Sequence, residues 1–75
     1  MELNEFIKSL AEQFDDTDAS EIQENTVFQD LDEWSSITAL AIIGLAKTHY
    51  GKTITGREIR NCVTVHDLFD LINTK

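Results

Sequence analysis

The sequence predicts an all-α fold, a four-helix bundle in the order long–long–short–medium, with an extended loop between the first two helices. Three observations predict it. Apolar residues recur at intervals of three and four, the spacing that lines one face of a helix. No segment carries the two-residue alternation of a half-buried strand. Pro is absent and only three Gly occur in 75 residues, so little interrupts a helix. That length admits one domain, residues 1–75, with a single modest core and a stability on the order of 5 kcal/mol.

Leu3, Phe6, Ile7, Leu10 and Phe14 follow the amphipathic rule, so the first helix should end near Asp15 and Asp16. A connection of about twenty residues follows, long for a small domain and therefore expected to be functional. Ile22, Val27, Phe28 and Leu31 are spaced to pin it to the core. The second helix should run from Ser36 to Tyr50 and stop at Gly51, which suits the left-handed position after a helix. Ile37, Leu40, Ala41, Ile43, Gly44 and Ala46, widened by Ile42 and Leu45, predict a central helix packed on two sides. Residues 53–56 read as a turn and 57–61 as a short helix. Thr64 and Asp67 then resemble a capping box. It opens a last helix whose core face is Val65, Leu68, Phe69 and Ile72.

The formal charge of −8 makes nucleic acid and anionic membranes poor partners and a basic protein surface a good one. The charge is divided. Residues 1–33 hold eleven acids against Lys8 alone, a balance of −10; residues 34–75 hold five bases against three acids, +2. Neither a basic leader nor a long apolar run opens the chain, so no signal peptide or membrane span is expected. The single cysteine, Cys62, cannot form an internal disulfide, which fits a reducing cytoplasm; a monomer is expected.

Few side chains are spaced for catalysis. His49 and His66 lack the i+3 or i+4 partners of a zinc site, and Cys62 adds no motif, so no metal is expected. A serine nucleophile at Ser36 would need a base. His49 lies about 20 Å along the same helix at 1.5 Å per residue, and no Gly-x-Ser-x-Gly elbow is present. His66 is not excluded by distance, so a small hydrolase stays as a third reading; the expectation is a protein without catalytic activity of its own.

The informative stretch is Asp32-Glu33-Trp34-Ser35-Ser36-Ile37-Thr38-Ala39, where an acidic run gives way to an apolar helix. On the bare motif, a serine before such a helix is an N-cap. Ser35 reads as that cap, which leaves Ser36 to project from the first turn. A phosphate on the Ser36 hydroxyl would meet unpaired N–H groups and the positive end of the helix. Trp34 reads as a cover for the core beside Phe28 and Leu31, with an exposed partner anchor as the alternative.

The run from Phe28 to Ile37, with Tyr50-Gly51-Lys52-Thr53-Ile54-Thr55-Gly56 downstream and Thr64-Val65-His66-Asp67-Leu68-Phe69 near the end, resembles the acyl and peptidyl carrier protein family. The resemblance covers nearly the whole chain, in order and spacing. It implies a four-helix bundle whose second helix opens with an Asp-Ser-Leu motif. By that match Ser36 receives a 4′-phosphopantetheine arm from coenzyme A, and Ile37 stands for the leucine. The arm's thiol would carry acyl intermediates as thioesters, in a specialised fatty-acid, polyketide or related pathway; aminoacyl or peptidyl cargo is the alternative. The implied partners are a phosphopantetheinyl transferase, a loading enzyme, and synthases or acyltransferases. Asp30, Asp32, Glu33, Ser35, Ile37, Leu40 and Ala41 would form their docking surface. The apolar second helix would offer a crevice for cargo, with Gly44 and Ala46 leaving space; close helix packing is the equal alternative for Gly44.

Two departures from that pattern are visible. Ser35 occupies the place of the aspartate, and the second helix shows Thr38, Ala41, Lys47, Thr48 and His49 where the family exposes acids. A steering partner should therefore approach from the loop side, or read the second helix by apolar and polar contact. A carrier-like bundle that is never modified, acting only as an acidic interaction module, is the runner-up.

Overall fold

The computed structural model describes residues 2–75 as four helices: α1 (Leu3–Ala11), α2 (Ser36–Tyr50), α3 (Gly56–Arg60) and α4 (Val65–Asn73). α1 and α4 each have nine residues, α2 has fifteen and α3 five, so the order is medium–long–short–medium. The first helix is shorter than the periodicity implies. After Ala11 the backbone tightens into three-residue turns, with the N–H groups of Gln13 and Phe14 donating to Leu10 and Ala11. Phe14 still reaches the core, so the apolar spacing continues past the point where the helix ends.

Each later boundary has a local chemical cause. Ser35 caps α2, and Gly51 ends it at φ 66°, where Lys52 N–H returns to the Ala46 carbonyl at 2.9 Å. A side chain at that φ would be strained, which is why glycine stands there. Reciprocal capping boxes open the last two helices, Thr55 with Glu58 and Thr64 with Asp67. The first of these starts α3 at Gly56, one residue before the expected position.

α1 packs on α2 and α4, and α2 packs on α3. Phe6 lies at their junction, its ring 5.7 Å from Phe69 and 6.1 Å from Tyr50. With Leu10, Ile42, Ala46, Ile59, Val65, Leu68 and Ile72 it is fully buried. Such burial contributes about 1.5–3 kcal/mol per large side chain.

The connection from α1 to α2 is ordered by named contacts. It contains two single-turn 3₁₀ segments, Ala19–Glu21 and Phe28–Asp30, and buries Ile22 and Phe28. Val27 does not pin it through the core, as its spacing implied; its side chain is exposed and its backbone bridges to Thr64. Beside that bridge, Thr26 and Glu24 carbonyls accept the N–H groups of Val65 and His66, donors left over at the start of α4. Gln29 Nε2 donates to the Cys62 carbonyl at 2.8 Å, closing the other side of the loop onto the end of α3. Among the described residues no helix is long and apolar enough to cross a membrane.

Candidate functional site

The start of α2 holds the informative residues. Ser35 is extended (φ −157°, ψ 176°), and its Oγ accepts the Thr38 N–H at a long 3.4 Å. Ser36 is the first helical residue and its side chain is exposed. Among the described residues no acceptor takes the N–H of Ser36 or Ile37. A phosphate on Ser36 would thus find free donors and the positive end of a fifteen-residue helix.

α2 is packed on one side, where its composition implied two. Thr38, Ile42 and Ala46 are buried, while Ile37 is 77% and Leu40 67% exposed. Ser36, Leu40 and Gly44 follow i, i+4, i+8, and Ile37 and Ala41 lie beside them on the same side. Ala41 is half-buried. A Cβ on Gly44 would meet nothing within 4 Å, so this glycine permits no close helix contact. Ala46, expected to leave space for cargo, is sealed in the core.

Thr38 was expected on the surface and is 6% exposed. It sits at the third position of α2, where Ser35 reaches it, and its Oγ1 donates to the Glu33 carbonyl at 3.1 Å. Trp34 packs edge-on against Phe28, ring centroids 5.0 Å apart, in the covering role.

The three acids before Ser36 separate into two kinds. Asp30 and Asp32 are exposed, and no ion pair engages them among the described residues. Glu33 is committed to the loop. Its Oε2 accepts the Asp15 N–H at 2.6 Å; its Oε1 accepts the Asp16 N–H at 2.9 Å and the Thr17 hydroxyl at 2.7 Å. These bonds hold its carboxyl below the usual glutamate range, the Thr17 hydroxyl most and the two N–H groups after it. Asp32 and Glu33 border an open cleft of ≈ 380 Å³ with Asp16, Thr17, Glu21 and Leu31. Local sequence rules missed this link because the bonded residues lie sixteen to eighteen positions apart.

The remaining reactive groups are occupied elsewhere. His66 Nδ1 pairs with Asp70 at 3.2 Å, one turn along α4, and His49 lies edge-on to Tyr50. Among the described residues no three His, Cys, Asp or Glu side chains converge. Burial pushes the Cys62 thiol up, reinforced by Asp67 and Glu58, which disfavours a nucleophilic thiolate. No family model, curated protein or solved structure matches the chain.

Proposed function

We propose that the chain is a carrier domain, an acyl-carrier-like bundle that takes a 4′-phosphopantetheine arm on Ser36 and holds cargo as a thioester on the arm's thiol. The observation that carries this reading is the exposed Ser36 hydroxyl at the first position of α2, bordered by exposed Ile37 and Leu40. An attachment serine needs access and a neighbourhood that favours phosphate, and it needs no base of its own because the transferase supplies one. The free N–H groups of Ser36 and Ile37 fit the phosphate of such an arm. Large apolar side chains so exposed beside a polar rim suit a partner surface. Ile37, Leu40 and Ala41 would meet the partner's apolar contact, with Asp30 and Asp32 supplying the charge that a basic transferase reads. Ser35 gives that partner one negative charge fewer than the family's aspartate, while keeping the cap.

The test is intact mass after incubation with coenzyme A and a broad-specificity phosphopantetheinyl transferase. The expected result is a gain of one arm that vanishes in Ser36→Ala. No gain with several transferases would overturn the reading and leave the exposed face of α2 as an interaction module.

A further inference from the structure

Glu33 joins two regions through different atoms. Its carboxylate gathers three donors from residues 15–17, where the loop leaves α1, and its carbonyl takes the buried Thr38 hydroxyl in the first turn of α2. Only Trp34 and Ser35 separate it from Ser36, and both are held, one by the Phe28 ring and the other as the cap. A carboxylate offers about four acceptor sites, so three internal donors leave little for a partner's Lys or Arg. Charge-assisted bonds of this kind are roughly twice as strong as neutral ones and fix geometry as well as energy.

We infer that Glu33 is a positioning residue: it latches the first turn of the loop to the first turn of α2 and so sets where Ser36 is presented. What Ser36 is presented to rests on the carrier reading; the latch itself does not. Asp30 and Asp32 do the electrostatic work of docking, and Glu33 does not take part in it.

The experiment compares the full chain with Glu33→Ala and Asp32→Asn, each checked for helix content. Amide exchange is measured first. Glu33→Ala should raise exchange at Asp15, Asp16 and Thr38, whose N–H groups are the bonded ones, by about tenfold or more, with Asp32→Asn like the wild type. Transferase kinetics follow. Glu33→Ala should raise the KM for the protein by about tenfold, with kcat little changed, and the loss should persist at high salt. The loss in Asp32→Asn should fade as salt screens it. Unchanged exchange at residues 15, 16 and 38, or a Glu33→Ala defect that salt removes, would overturn the latch. If Glu33→Ala does not fold, Thr17→Val removes one donor and leaves the carboxylate; unchanged exchange at Asp15 and Asp16 there overturns it equally. A wild-type chain that takes no arm would sink the carrier reading, and the exchange data would still decide the latch.

Discussion

Two adjacent serines at the start of α2 have different surroundings because one residue along a helix turns the side chain by about 100°. Ser35, still extended, points its oxygen back at Thr38 N–H; Ser36, already helical, points its oxygen outward. Replacing Ser35 by Ala should cost about 1 kcal/mol, the usual loss of an N-cap, seen as a lower urea midpoint. Ser35→Asp should keep the cap and add about 0.3–1 kcal/mol from a negative charge at the positive helix end. On the carrier reading it should also speed arm transfer in a mass time course, since it adds a charge that a basic enzyme would read. An Asp variant less stable than the Ala variant would show that Ser35 is not the cap. A second residue makes a prediction of opposite sign. Tyr50 Oη is buried and has no hydrogen-bond partner among the described residues. Removing an unpaired buried hydroxyl relieves its desolvation cost, so Tyr50→Phe should raise stability by about 1 kcal/mol while leaving the Phe6 ring contact in place.

At the scale of elements, α2 carries a helix-weakening residue on its exposed face. The Cβ of an alanine at Gly44 would meet only solvent, so Gly44→Ala should stabilise the fold by about 0.8–1 kcal/mol in thermal or urea unfolding. The same methyl group lies on the side of α2 that displays Ser36 and Leu40. On the carrier reading, slower arm transfer in this more stable variant would mean that a transferase contact extends at least two turns along α2. That face also marks the limit of what the residues alone disclose. The extent of α2 and the start of α4 were legible because local signals mark them: Ser35 and Gly51 for one, Thr64 and Asp67 for the other. The end of α1 was not, because Phe14 keeps the apolar spacing while Glu33 draws the N–H groups of Asp15 and Asp16 out of any helical continuation. Apolar composition also overstated the packing of α2. A nearly all-apolar helix has no periodic contrast by which to tell the buried Ile42 from the exposed Ile37 and Leu40. In the site, Ser35 and Ser36 followed from position in the first turn. Thr38 and Glu33 depend on a loop conformation that no local rule supplies.

For the whole molecule, the charge division and the capping carboxylates pull stability in opposite directions as pH falls. Asp18, Glu33, Glu58 and Asp67 all have carboxyls held below their ordinary values. The chief causes are the Ser20 N–H, the Thr17 hydroxyl, the Lys75 ammonium and the Thr64 N–H, respectively. A lowered folded pKa means that the folded state binds the proton more weakly than the unfolded chain. Each group therefore stabilises fully at neutral pH. That contribution begins to fade near the ordinary values of 4.5 for Glu and 3.8 for Asp, and is gone once pH passes below the folded value. Against this, acidification relieves repulsion among the eleven acids of residues 1–33. At physiological ionic strength charges further apart than about 8 Å are screened, so the lost capping bonds should dominate there. The urea midpoint is expected to stay level from neutral pH to about 5 and then fall. In low salt it should rise slightly before falling, because repulsion is then less screened. Glu33→Gln should start lower at neutral pH and decline less steeply, since it lacks one of the four carboxyls held low. Equal slopes for the two proteins would show that the Glu33 bonds to residues 15–17 do not persist in solution.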